Sequence, residues 1–239
     1  LDLTLVTPSQ WLADCASSSK LFRQPRVEVI PNGIDTNQYL PIDKKTARAT
    51  LDLPQDKRLI LFGVGSTSGD PRKGFQYLLS ALQQLDISRW KNHLELVVFG
   101  QADGSDLPID FKTHFLGRLS GDEALAAAYS AADLFVAPSV QDNLPNTVVE
   151  ALCCGTPCAA FKIGGMPDMI VHHQNGYLAQ PFDTQDLAQG IAWTIESDER
   201  HKRLCDYSRT YALRHFERRA QAQQYVSLYE DLLDKSSKV

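Results

Sequence analysis

Two carboxylates eight residues apart, Asp142 and Glu150, are the best candidates for chemistry in this 239-residue chain. They lie in Val140-Gln141-Asp142-Asn143-Leu144-Pro145-Asn146-Thr147-Val148-Val149-Glu150-Ala151-Leu152-Cys153-Cys154-Gly155-Thr156-Pro157. The apolar run Asp133 to Pro138 predicts a strand leading into this segment. Pro145 suits the first position of a helix, where its missing N–H costs nothing. Gly155 suits a left-handed stop, with Pro157 beyond it. Asp142 is therefore expected in the strand-to-helix loop, and Glu150 about one turn inside the helix. The free N–H groups of that helix point at the gap between them and favour an anion there. Carboxylates accept hydroxyl hydrogen bonds, so the arrangement suits a sugar joined to a phosphate. Two acids at this spacing also describe a helix cap and a solvated face. The loop, helix, Gly and Pro around them favour the functional reading.

Cations that would complete such a site occur earlier. Gly63-Val64-Gly65-Ser66 leaves an apolar run, and Asp70-Pro71-Arg72-Lys73-Gly74 follows. A glycine-rich strand exit lets backbone N–H groups, here those of Gly65 and Ser66, approach a phosphate closely. Arg72 and Lys73 could then neutralise a departing diphosphate. The alternative is a surface loop with two solvated cations. Gly63, Gly65 and Gly69 do not meet the GxGxxG spacing, which disfavours a nicotinamide cofactor and a dehydrogenase.

The block DNLPNTVVEALCCGTP resembles the acidic-x7-acidic motif of the retaining glycosyltransferases of family 4, which have the GT-B fold. Pro31-Asn32-Gly33-Ile34-Asp35, Lys73-Gly74 and Phe115-Leu116-Gly117-Arg118-Leu119 resemble further stretches of that family, and the resemblance covers nearly the whole chain. It implies that Glu150 binds the ribose of a nucleotide-sugar donor and that Asp142 holds a hydroxyl of the donor sugar. It implies that Gly117, Arg118 and Leu119 hold the nucleobase, largely through backbone atoms. Asn143, Leu144, Pro145, Asn146 and Thr147 would line the nucleotide, and Asp142, Lys73 and Arg72 would act in catalysis. Gly164-Gly165 with Met166-Pro167-Asp168 is similar to a donor-side stretch of the family, though a plain turn explains it nearly as well. Two departures stand out. Asp142 replaces the more usual Glu, and the position of the family's phosphate-binding Arg holds Val64 or Ser66, with Arg72 as its candidate substitute.

Bulk properties exclude other classes. A net charge of −5 gives no basic footprint for nucleic acid. No apolar run approaches the ~20 residues that span a bilayer. The five cysteines, Cys15, Cys153, Cys154, Cys158 and Cys205, fit neither a disulfide framework nor a zinc site, and read as buried cytosolic thiols. No Asp-x-Asp or His-Glu-x-x-His pattern indicates a metal. The expected cofactor list is therefore empty, with a nucleoside-diphosphate sugar as substrate. The histidines read as structural, and His172-His173 is expected to end a short helix.

The elements that must position these residues alternate. Apolar runs at 59–64, 94–99, 113–116, 133–137 and 158–161 predict strands, and amphipathic segments between them predict helices. Ser120-Gly121-Asp122-Glu123 has capping-box form. Three helices are expected at 184–197, 199–214 and 218–234. Repeated β-α units mean an α/β fold, a Rossmann-like doubly wound parallel sheet whose ligands bind at the strands' carboxyl ends. By resemblance this sheet is the C-terminal half of a GT-B fold. Residues 1–30 are then the tail of an N-terminal acceptor domain, 31–217 the donor-binding domain, and 218–239 a helix crossing back. The expected partners are the nucleotide sugar and a carbohydrate or lipid-linked acceptor held by the other domain. The expected location is the cytoplasm, with peripheral association at the cytoplasmic membrane face. A nucleotide-sugar-binding regulatory module and another GT-B enzyme, an epimerase or a phosphorylase, are the alternatives.

Overall fold

The computed structural model describes residues 3–64, 70–100 and 110–236. The predicted Gly65 and Ser66 phosphate contacts lie outside them. Strand β1 (Thr4–Thr7), helix α1 (Gln10–Ser18) and strand β2 (Arg26–Val29) open the chain, with β1 and β2 paired in parallel as a small separate sheet. Helix α2 (Lys44–Thr50) leads to β3 (Arg58–Val64), a 3₁₀ turn (Pro71–Lys73), α3 (Phe75–Gln83), α4 (Ile87–Trp90), β4 (Leu94–Gly100) and β5 (Thr113–Gly117). Then come α5 (Asp122–Ala131), β6 (Leu134–Ala137), α6 (Asn146–Cys153), β7 (Cys158–Phe161), α7 (Met166–Met169) and β8 (Gly176–Ala179). Helices α8 (Thr184–Ile195), α9 (Asp198–Phe216) and α10 (Arg218–Ser236) complete it.

The main sheet is six-stranded and parallel throughout, in the order β5-β4-β3-β6-β7-β8. Its strands are continuous apolar runs because both faces are covered. Along β3, Leu59 and Leu61 enter one core with Tyr129, Val148 and Leu152. Ile60 and Phe62, between and after them, enter the opposite core with Leu78, Leu82 and Leu187. The strand order reverses between β3 and β6. The crevice at the carboxyl ends of such a pair is where doubly wound sheets bind ligands.

Helix α10 returns to the start of the chain. The Ile34 N–H donates to the Phe216 carbonyl at 2.8 Å, and the Arg218 N–H to the Ile34 carbonyl at 3.0 Å. Arg26 on β2 pairs with Asp231 on α10. Gly33 permits this approach, since a Cβ there would stand 2.8 Å from the Arg218 Cα.

Three local expectations are corrected. Pro145 is the N-cap residue, at φ −65° and ψ 120°, and the helix starts at Asn146. The capping box does not form: Gly121, at φ +90°, is the cap of α5, without a side-chain hydrogen bond. His172 and His173 lie beyond α7, with His173 at φ +66°, so neither ends a helix. Burial lowers the pKa of His172, the opposite of what a dipole-stabilised cation would show. Helices α2 and α4 were not foreseen. Among the described residues no helix is long and apolar enough to cross a membrane.

Candidate functional site

The site forms where the exit of β3 meets the loop between β6 and α6. Asp70 accepts the Arg72 N–H at 3.0 Å, and Pro71 opens the 3₁₀ turn. Gly74 ends it at φ +66°, pressed so closely on β6 that a Cβ would overlap the Pro138 carbonyl oxygen. The Val140 N–H donates to the Arg72 carbonyl at 2.7 Å, which pins the turn to the loop. Lys73 is thereby delivered to Asp142, with Nζ 2.7 Å from Oδ2. Ser139 Oγ donates to the same oxygen at 3.3 Å, and the Asn143 N–H to Oδ1 at 3.0 Å. From the other side Gly164 and Gly165 abut the carbonyls of Asp142 and Asn143, where no Cβ would fit. The Gly165 N–H donates to the Asp142 carbonyl at 3.2 Å. This packing is a physical reason for the Gly-Gly pair: it holds the acidic loop in place.

Helix α6 begins in this loop. Its cap, Pro145, has no side-chain donor or acceptor to offer. Among the described residues the N–H groups of Asn146 and Thr147 find no acceptor, so they remain available to an anion. Glu150 lies further along, half-buried. Its Oε2 accepts the Tyr129 hydroxyl at 2.8 Å. Burial pushes its carboxyl above the usual range, the Tyr129 hydrogen bond opposes this, and the charge of Asp122 adds to it. Tyr39, ahead of α2, donates its hydroxyl to Asp122 at 2.8 Å.

The remaining predicted residues divide. Asn143 accepts from Ser9 Oγ, which joins the cap of α1 to the acidic loop. Leu144 is buried in the core, and Pro145 lacks an N–H, so neither side chain offers a polar group and only Leu144 keeps a backbone donor. Arg72 is 67% exposed and turned to Asp70, 2.7 Å away, rather than to Asp142. Gly117, at φ +63°, ends β5, followed by exposed Arg118 and by Leu119 packed on the core. Ser9, Tyr129 and Ser139 were not predicted. Tyr129 is the one aromatic of an alanine-rich helix, a signal that sequence reading passed over.

Carboxylates, a cation and free helix N–H groups thus converge at the carboxyl ends of β3 and β6. Comparisons with known proteins give the family and the fold. The family described as "Glycosyl transferases group 1" matches residues 43–211. A D-inositol 3-phosphate glycosyltransferase of Segniliparus rotundus is 31% identical over 186 residues, 73% of this chain and 40% of that protein. Sucrose-phosphate synthase from Thermosynechococcus elongatus superposes with a TM-score of 0.80 at 25% identity, over 97% of this chain and 59% of that one. HepE of Anabaena, solved in complex with UDP-glucose, superposes with a TM-score of 0.75 at 22% identity, over 95% of this chain and 63% of that one. The chain spans about half the length of the proteins it matches. With its six-stranded Rossmann-like sheet of GT-B type, the chain belongs to the glycosyl transferases group 1 family.

Proposed function

We propose that this chain is the donor-binding, C-terminal part of a retaining, family-4-like glycosyltransferase that moves a sugar from a nucleoside diphosphate to an acceptor in glycan assembly. The observation that carries the reading is the Lys73–Asp142 contact beside the open N-terminus of α6. Lys73 and the N–H groups of Asn146 and Thr147 take the diphosphate. Their positive potential stabilises the charge that develops as the glycosidic bond to phosphate breaks. Asp142 orients the donor sugar, and Glu150 accepts from the ribose hydroxyls. Departure and attack on one face, assisted by the leaving phosphate, give retention. HepE, a structural neighbour, was solved with UDP-glucose, which supports a nucleotide sugar as the donor class. No resident metal or cofactor enters this reading. The acceptor is assigned to a further N-terminal domain that residues 1–30 adjoin and α10 braces, and the whole enzyme to the cytoplasm. Calorimetric titration of the chain with UDP, GDP and ADP tests the proposal. Selective binding of one nucleotide, weakened at least about tenfold in Glu150→Ala, is the expected result. Equal affinity in the variant refutes the role of Glu150.

A further inference from the structure

We infer that Tyr129 is a positioning residue of the nucleotide site: its hydroxyl holds Oε2 of Glu150 so that Oε1 is the oxygen presented to the ribose. The inference rests on the reading of Glu150 given above. Tyr129 is on α5 and Glu150 on α6, and the hydroxyl stands 2.8 Å from Oε2. The ring is fully buried and cannot swing away, since Phe99 and Phe135 meet it edge to face at 6.1 and 5.4 Å. Thr156 Oγ1 donates to the Tyr129 carbonyl at 2.7 Å and fixes the backbone as well. Among the described residues Oε1 has no hydrogen-bond partner, and no buried side-chain oxygen or nitrogen lacks one. Oε1 therefore reaches the surface, where a hydroxyl can meet it.

The other groups facing Glu150 explain why a donor is needed. From α5 comes Asp122, held by Tyr39 from the segment before α2, and its charge disfavours ionisation of Glu150. On α6 itself Cys153 and Cys154 are buried thiols pushed up to about 12, so they are neutral and offer no counter-charge. Tyr129 is thus the group whose hydrogen bond favours the carboxylate. Removing the hydroxyl frees the carboxylate to rotate and lets protonation compete with the ribose at higher pH.

Tyr129→Phe keeps the ring and so the packing. UDP is titrated into the chain and into Tyr129→Phe, Glu150→Gln and the double variant, between about pH 5 and 8. The expected result is UDP binding roughly tenfold weaker in Tyr129→Phe, an affinity lost on acidification at higher pH than in the unaltered chain, and less than about twofold further loss in the Glu150→Gln background. An unchanged affinity and pH profile in Tyr129→Phe overturns the inference and leaves the nucleotide site standing. An equal, pH-independent loss in both backgrounds also overturns it, by showing a packing effect. An unaltered chain that binds none of UDP, GDP and ADP overturns the nucleotide site itself, and this inference with it.

Discussion

Replacing Lys73 by Met separates binding from stability. Two unit charges at the observed 2.7 Å attract by about 1.5 kcal/mol in water and about 6 kcal/mol at an effective dielectric of about 20. The Lys73 side chain is 52% exposed and that of Asp142 16%, so the pair lies near the aqueous limit. Ordering a long lysine takes back most of that gain, and exposed pairs of this kind contribute about 0–1 kcal/mol. Lys73→Met should therefore lower Tm by no more than about 2–4 °C in a chain of this size. Its effect on a diphosphate is larger, because a hydrogen bond to a charged group is worth about 1.5–3 kcal/mol. The variant also leaves the Asp142 charge facing the phosphates. Kd for UDP should rise by roughly ten- to a hundredfold. The assay pairs a thermal melt with calorimetric titration of UDP on the same samples. A melting temperature that falls far beyond that window with Kd unchanged would refute the reasoning, since Lys73 would then be a structural tie between β3 and the acidic loop.

Two further perturbations probe the loop at the site and the charged hub at the opposite end of the sheet. Gly164→Ala forces a Cβ at φ +50° into the Asp142 carbonyl, so the loop must move. UDP-sugar binding should weaken, whereas Gly121→Ala, strained at φ +90° but with open space around it, should leave binding intact in the same titration. Asp133→Asn should cost about 3–5 kcal/mol in urea denaturation at neutral pH, because Arg48 and Lys44 lose their buried counter-charge. Burial pushes the Asp133 carboxyl up, but Lys44 and Arg48 outweigh it and hold the pKa below the usual range. Its contribution is therefore full above the unfolded value of about 3.9 and disappears as pH falls through the lower folded one. The unaltered chain should show that acid loss and Asp133→Asn should lack this component, which denaturation at two pH values checks.

The parts of the molecule that sequence made legible are those where one local pattern suffices. Leu59 to Phe62 are apolar at every position, and only a strand covered on both faces tolerates that. Pro145, Gly155 and Pro157 bracket α6 to within one residue, and Gly155 does adopt φ +75°. Helix α2 was illegible because Lys-Lys-Thr-Ala-Arg-Ala-Thr carries no apolar stripe. Asp43 caps it, and it is held by what Arg48 reaches: the carbonyls of Ala131, Pro54, Gln55 and Lys57, and the Asp133 carboxylate. The capping box failed because Gly121 entered the cap position, leaving Asp122 to accept from Tyr39. The Tyr129–Glu150 bond joins residues on two helices, and no spacing along the chain announces it. The same holds for Ser9 and Asn143, whose contact depends on how the first helix is laid against the sheet.

Charged groups gather at both ends of the sheet, and the difference between the two ends argues for where ligand binds. At the amino ends of the strands a groove of about 540 Å³ is lined by Lys44, Arg48, Lys57, Arg58 and Arg89 among others. Its cations are already engaged. Arg48 and Lys44 hold Asp133, Arg58 reaches Asp133 and Asp198, Arg89 pairs with Glu196, and Lys57 with Asp56. Asp133 also accepts the Leu59 N–H at 2.7 Å, so the carboxylate is saturated and 2% exposed. A ligand there would have to break internal bonds to gain its own. At the carboxyl ends the balance is the reverse. Among the described residues Lys73 is half exposed with one partner, the first N–H groups of α6 have no acceptor, and Oε1 of Glu150 reaches the surface. Polar groups left open in a crevice that the fold itself creates carry binding energy that a ligand can collect. The groove at the amino ends is a structural hub whose charges hold one another, and the open groups at the β3–β6 crevice favour that end for a ligand.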